Sequence, residues 1–308
     1  MYTPWEFPFD VLEGEFGGDA SILWETVEKK KGSTTSREAG KPVRLKVQYR
    51  FQASNLSGFY NEIYFTGLSA AGRLEDSDGY GYSYSLRTAQ PVKVDIKQVN
   101  GGVPLTSVSF ALSYIHKDKP RNNVIYLHDL KGSTLDGEIF SKKVEFSPSS
   151  DVNNFIINLK GLSVKKILEL QKQKGVEGTG VIDGSLPVRL GKNGLSISDG
   201  NLEARKPGGI IRYRPDNTEA FSSLSEPNIK LLMEALDNFH YQVLQSDVSY
   251  SPEGKLVLRL RMEGKNPDMS TKRPINLNIN VEQNILTLLK SLRLADDIGE
   301  KIGERMRR

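Results

Sequence analysis

The sequence predicts a mainly β protein with about three amphipathic α-helices near its C-terminal half. Three observations carry that prediction. Val43, Leu45, Val47, Tyr49, Phe51 and Ala53 alternate without a fault against Arg44, Lys46, Gln48, Arg50, Gln52 and Ser54. The stretch Arg273–Glu282 does the same, with Ile275, Leu277, Ile279 and Val281 against Asn276, Asn278, Asn280 and Glu282. A period of two is the mark of a strand with two different faces. Helical spacing of apolar residues appears only after Gly161.

In chain order, Val11 to Trp24 reads as a short strand, a glycine turn and a second strand. Lys29 to Lys41, charged and rich in Gly, Ser and Thr, reads as a loop. After the first faultless alternation come a strand at Phe59–Thr66 and a turn-rich stretch, Asp76–Ser85, with room for a hairpin. Strands follow at Val92–Val99, Leu105–His116, Asn123–Leu130, Glu138–Phe146 and Asn153–Lys160, and return from Glu177 to Tyr213. The helices fall at Ser163–Lys174 (Ser163 as N-cap, Gly175 as stop), Glu226–Phe239 (Pro227 in the first turn) and Gln283–Leu294. Tyr241–Tyr250 and Lys255–Glu263 form a hairpin around Ser251-Pro252-Glu253-Gly254, with Leu256, Leu258, Leu260 and Met262 sharing a face. A loose repeat of apolar residue, glycine and strand recurs at Gly14, Gly132 and Gly200. Glycine there supplies a turn or a bulge on which a long sheet bends.

The bulk properties exclude several classes of function. The 308 residues are 37% hydrophobic and 26% charged, ordinary values for a folded protein. Net charge is +4, from 42 basic and 38 acidic residues spread along the chain, so no basic patch points to nucleic acid. The absence of cysteine removes disulfides, thiolate metal sites and cysteine nucleophiles. No apolar run approaches the roughly 18 residues of a transmembrane helix, and the first residues have no signal-peptide pattern. His116, His128 and His240 show no ligand spacing, and nucleophile-elbow, phosphate-loop and dinucleotide motifs are missing. The sequence therefore predicts a non-enzymatic protein without metal or cofactor.

One-sided strands remain to be explained. At about 25 cal/mol per Å², each apolar face needs a cover. Two packed sheets would supply it, and so would a long curved sheet whose lumen holds acyl chains; pattern alone leaves both open. An outer-membrane barrel fits poorly, because helices interrupt the strands.

Residues 178–190 (Gly-Thr-Gly-Val-Ile-Asp-Gly-Ser-Leu-Pro-Val-Arg-Leu), with 197–205 and Pro207-Gly208-Gly209-Ile210-Ile211-Arg212-Tyr213, resemble the C-terminal signature of the YdbH-like family. Asn55-Leu56-Ser57-Gly58-Phe59-Tyr60, Tyr64–Ser69 and Glu263-Gly264-Lys265-Asn266-Pro267 agree, and the resemblance spans roughly Val43 to Leu294. That family belongs to the AsmA-like group of bridge-like lipid-transfer proteins of the Gram-negative envelope. The resemblance implies an elongated, curved, repeat-built sheet forming an open apolar groove. It also implies a longer parent chain, anchored in the inner membrane by a helix that this chain lacks. Phospholipid would travel along the groove through the periplasm, and the C-terminal end would dock a small outer-membrane lipoprotein of the YnbE type by strand addition.

On that reading residues 1–308 are one groove segment, the outer-membrane-proximal part of the parent, with an introduced Met1 and a helical cap or tail at 283–308. About fourteen strands spaced roughly 4.8 Å apart would run about 65–70 Å. Candidate groove-lining residues are Val43, Leu45, Val47, Leu256, Leu258, Leu260, Ile275, Leu277, Ile279 and Val281. Ile275, Leu277, Asn278 and Ile279 are candidates for the strand edge that takes the partner. Two other readings stand beside the conduit: an interaction scaffold for the lipoprotein, and a glycan-binding β-protein using Tyr80, Tyr82 and Tyr84.

Overall fold

A computed structural model of the chain describes residues 9–26, 43–60, 63–77, 85–117, 123–170, 175–214, 227–269 and 274–292. Among the described residues the protein is mainly β, with one antiparallel sheet of 16 strands, three short helices and no barrel closure. The strands are β1 (Phe9–Thr26), β2 (Val43–Tyr60), β3 (Ile63–Ser77), β4 (Ser85–Thr88), β5 (Val92–Asn100), β6 (Pro104–Lys117), β7 (Val124–Thr134) and β8 (Gly137–Phe146). They continue with β9 (Val152–Ser163), β10 (Val176–Gly178), β11 (Val181–Gly191), β12 (Gly194–Ala204), β13 (Gly209–Tyr213), β14 (Phe239–Tyr250), β15 (Lys255–Lys265) and β16 (Ile275–Asn284). Helix α1 is Val164–Leu170, α2 is Pro227–Leu236 and α3 is residues 285–292.

The hydrogen-bonded order runs β1-β2-β3-β4-β6-β7-β8-β9-β11-β12-β14-β13-β10, with β15 joining β14 to β16 and β5 lying between β3 and β6. β4 and β5 act as one interrupted strand. β4 pairs the end of β3 at Leu74–Asp76, and β5 pairs its beginning at Tyr64–Ala70. Pro91, which has no N–H to give a ladder, sits at the interruption.

Contacts divide the chain into two compact units. The first comprises Met1–Asn100, Thr106–Lys131 and Lys142–Asn153. Its buried apolar side chains among the described residues are Val47 and Ala53 on β2, Phe65 on β3, Val92 and Val94 on β5, Val108 on β6 and Val144 on β8. The second comprises Gly101–Leu105, Gly132–Ser141 and Asn154–Arg308. Its core is Leu162, Val164, Ile182, Leu236, Phe239, Tyr241, Leu244 and Met262, with α1 and α2 supplying Val164 and Leu236.

Several expectations need correction. Residues from Phe9 to Thr26 form one strand, not two around a turn. Gly14, at φ 111°, makes a bulge, seen as register shifts against β2 on both sides of Glu13. A side chain there would also meet Leu56 Cα at 2.6 Å, so glycine is required twice over. Gly200 marks the same device in β12, where register slips between Ile197 and Gly200. The expected strand Phe59–Thr66 is instead the end of β2 and the beginning of β3. The helix expected from Gln283 starts two residues later, because Gln283 and Asn284 still pair β15. Asn284 then caps α3, its side-chain oxygen accepting from Thr287 N–H at 2.9 Å. The helix expected over Glu226–Phe239 ends at Leu236, and Phe239 opens β14 as a wholly buried side chain. Ser163 does cap α1, accepting from Lys166 N–H at 3.4 Å. The loop at Lys29–Lys41, the hairpin region with Tyr80, Tyr82 and Tyr84, and most of the C-terminal tail lie outside the described residues.

Candidate functional site: an apolar sheet face and its open edge

The strand register of the second unit builds one apolar face. Cross-strand partners share a face, and the pairs Leu258↔Val281, Leu260↔Ile279 and Met262↔Leu277 join β15 to β16. On the other side of β15, Leu256, Leu258 and Met262 stand opposite Tyr250, Val248 and Leu244 of β14. β14 passes the face to β12 through Tyr250↔Ile197 and Ser246↔Leu202, and β12 passes it to β11 through Ile197↔Val188 and Ala204↔Ile182. Five strands thus present leucine, isoleucine and valine on one side. The opposite side carries Arg259, Arg261, Asn276, Asn278 and Asn280.

One end of this face is covered by protein. Leu260, Ile275, Leu277 and Ile279 pack against the core under α1 and α2. Glycines of residues 178–180 and 208–209 shape that cover. Tyr241 is 1% exposed and its hydroxyl donates to Thr179 O at 2.8 Å. Burial pushes that hydroxyl's pKa up to about 12, so it donates throughout the accessible pH range. A side chain at Gly180 would come within 2.1 Å of the Tyr241 hydroxyl, and one at Gly208 within 2.0 Å of its carbonyl oxygen. Gly180 O also accepts the first N–H of α1, from Val164 at 3.1 Å. The motif at residues 178–180 and the Pro207-Gly208-Gly209 turn therefore form a cradle for one tyrosine.

Asn266 closes the same end. Its side chain is buried, donating to Glu234 O of α2 at 2.7 Å and accepting from Asp268 N–H at 2.8 Å. On the polar side, Asp183 accepts from Arg205 at 2.6 and 2.7 Å and from Gly161 N–H at 2.7 Å. The Arg205 hydrogen bonds hold the Asp183 carboxyl below the usual carboxylate range; burial opposes this and the Gly161 amide supports it.

The other end lies outside that cluster among the described residues, although Val248, opposite Leu258, is itself buried. Leu256, Leu258 and Val281 are half-buried and do not belong to the core cluster. α3 turns back here, Ile285 N–H donating to Gly254 O of the β14–β15 turn at 2.8 Å, and Leu289 seats against Gly102.

Among the sequence-derived candidates, Leu256, Leu258, Leu260, Ile275, Leu277, Ile279 and Val281 thus share one face. Val43 and Leu45 lie in β2 opposite Thr26 and Trp24, with side chains outside the described ones, and Val47 is buried within the first unit. Asn278 points to the polar side of β16, as its alternation with Leu277 and Ile279 requires. Pairing by sequence missed Phe239, Tyr241 and Asn266. The close spacing of Gly178, Gly180, Gly208 and Gly209 was the available signal for a crowded site.

β16 pairs only β15 among the described residues, through ten consecutive pairs without a register shift. Its free side is a regular, unbulged row of backbone donors and acceptors.

The described residues contain no cluster of His, Cys, Asp or Glu able to hold a metal, and no helix long and apolar enough to cross a membrane. A concavity of about 910 Å³ opens in the first unit, lined by Asp19, Arg50, Gln52, Arg73 and Gln90 among others. Its lining mixes these with Phe51, Ala71 and Pro91, and it is not part of the apolar face of the second unit.

The model of the YdbH-like family, described as intermembrane phospholipid transport protein YdbH, matches residues 6–307. The chain belongs to the YdbH-like family. Membership in an intermembrane transport family implies a place in the cell envelope and phospholipid as the cargo class. No curated protein and no solved structure matches the chain.

Proposed function

We propose that this chain is a non-enzymatic phospholipid conduit between the inner and outer membrane, its apolar sheet faces holding acyl chains. The observation that carries the reading is the in-register apolar face of β11, β12, β14, β15 and β16, whose Leu256, Leu258 and Val281 lie beyond the helix-covered core. Apolar side chains with incomplete protein cover lose solvation free energy unless another apolar surface reaches them. Acyl chains are such a surface, and head groups then stay at the wet rim.

In this reading residues 1–308 form one groove segment of a longer periplasmic chain anchored in the inner membrane. On the face of the second unit Leu256, Leu258 and Val281 meet acyl chains, Leu260, Ile275, Leu277 and Ile279 continue that face beneath α1 and α2, and the residues after β16 form the cap or tail. Val43 and Leu45 are the lining candidates of the first unit, where Val47 is core. The free edge of β16, at Ile275, Leu277, Asn278 and Ile279, takes a strand from a small outer-membrane lipoprotein of the YnbE type. The unbulged edge and its even in–out alternation favour that role, because strand addition needs an unbroken ladder.

The test is mass spectrometry of lipid co-purifying with the chain. Phospholipid in the native protein, lost in a folded Leu258→Arg variant, is the expected result. Lipid retained by that variant at native levels overturns the conduit reading. A scaffold role without conduction is supported by the same β16 edge, and it predicts partner binding by a chain that carries no lipid.

A further inference from the structure

We propose that α3 is a strap across the open end of the apolar face, seated on one glycine in each of two turns, and that its release admits an acyl chain. The inference rests on the conduit reading and adds to it the part that controls entry. α3 leaves β16 at the open end, where Gln283 and Val281 stand opposite Leu256 and Leu258. Its apolar residues Ile285, Leu288, Leu289 and Leu292 recur at helical spacing on one stripe, half-buried at the first three and buried at Leu292. None of the four belongs to the core cluster under α1 and α2.

Two turns hold the helix. At its start Ile285 N–H donates to Gly254 O at 2.8 Å in the β14–β15 turn, and a side chain at Gly254 would meet Leu286 Cγ at 2.6 Å. Further along, the helix lies on the β5–β6 turn. A side chain at Gly102 would come within 2.9 Å of the Leu289 carbonyl oxygen and 3.0 Å of its Cα. Both glycines are buried and both have positive φ, 93° at Gly254 and 117° at Gly102. Each is therefore required by the turn it makes and again by the helix laid on it. Both turns and α3 belong to the second unit.

The reach of the helix requires a curl. β6 and β15 lie seven places apart in the hydrogen-bonded order, about 34 Å in a flat sheet. The eight residues of α3 extend about 12 Å. α3 touches the turns that precede both strands, so within the second unit it bridges a curled ladder. A helix this short has little stability of its own, since about 12–15 residues are needed in water. Its position is therefore set by the two seats, and such an element opens without unfolding the rest. An acyl chain entering at Leu256, Leu258 and Val281 offers the stripe a competing apolar surface.

The experiment measures transfer of a fluorescent phosphatidylethanolamine between phosphatidylcholine vesicles by the full chain. Leu289→Ser removes the contact with Gly102 and leaves both turns intact, and we expect it to raise the transfer rate by about tenfold. The amides of Leu288–Leu292 should exchange hydrogen correspondingly faster, while those paired between β15 and β16 keep their native protection. Gly102→Ala disturbs the same seat from the other side and should act alike. Lys290→Ser, on the exposed side of the helix, should match the native protein. A native transfer rate in the Leu289→Ser protein, with α3 exchanging faster or not, overturns the strap and leaves the conduit standing. Loss of β15–β16 protection in step with α3 makes the helix part of the core and also overturns the strap. No transfer by native or variant protein overturns the conduit reading, and the strap with it.

Discussion

The two ends of the β15–β16 pair share a ladder, a face and an amino-acid vocabulary, yet they are finished differently. At the Met262–Leu277 end the apolar face is closed by α1, α2 and the wholly buried Phe239 and Tyr241. At the Leu258–Val281 end the residues are half-buried, as Leu277 is, but among the described residues they lie outside that core cluster. Alternation along a strand thus says that a face needs a cover but not what covers it. The cover is decided by distant residues, here the glycines around Tyr241 and the hook at Asn266. The closed end is a stability element, and the open end is where the proposed acyl chains would supply cover.

The strongest way to break the comparison is to fill the cradle. Gly208→Ala places a methyl within 2.0 Å of Tyr241 O at φ 100°, and both overlap and backbone strain must be relieved. We expect a loss of about 4 kcal/mol in denaturant unfolding, with fluorescence and far-ultraviolet signals shifting together. A midpoint unchanged from the native protein would show that the cradle gives way and that the closed end is not set by these glycines.

Paired substitutions sharpen the contrast. Leu277→Glu puts a carboxylate against the core and should cost about 3 kcal/mol, while Leu258→Arg, at the open end, should leave the unfolding midpoint within about 0.5 kcal/mol and remove co-purifying phospholipid. Equal destabilisation by both would mean that the two ends are alike. Asn278→Pro tests the edge: proline removes one donor of β16 and obstructs strand addition. Capture of the proposed lipoprotein partner should fall by about tenfold, read by pull-down, while co-purifying lipid stays.

Much of this architecture was legible in the residues, and the legible parts share a cause. Arg273–Glu282 reads as a two-faced strand because each residue answers only to its two neighbouring faces, and β16 alternates half-buried and exposed along its whole described length. The boundaries of α2 and α3 were harder. Phe239 fits the apolar stripe of a helix, but its place at the head of β14 is fixed by pairing with Ile211, far away in sequence. Gln283 and Asn284 stay in strand because Leu256 and Lys255 hold them there. β1 misled for a local reason: Gly14 and the Gly17-Gly18 pair carry turn chemistry, and only the facing strand reveals a bulge within a continuous ladder. The apolar candidates of β15 and β16 came together because alternation fixes a face. Val47 shares their pattern but is buried in the other unit, since periodicity contains no information on depth.

The smallest expected effect comes from the polar side of the closed end, where Asp183 ties Arg205 and the Gly161 amide together. Because the folded carboxyl is held below its unfolded value, its contribution is fully present above the unfolded pKa of about 3.9 and is lost as pH falls through the lower folded value. The pair is partly solvated, with side chains 44% and 43% exposed, so screening reduces its worth. Asp183→Asn should therefore cost about 1 kcal/mol at neutral pH. The deficit should shrink below about pH 4, as the native carboxyl takes up its proton. Denaturant midpoints of the two proteins measured across that range should converge on the acid side. A constant gap would place the contribution of Asp183 in packing and backbone hydrogen bonding rather than in its charge.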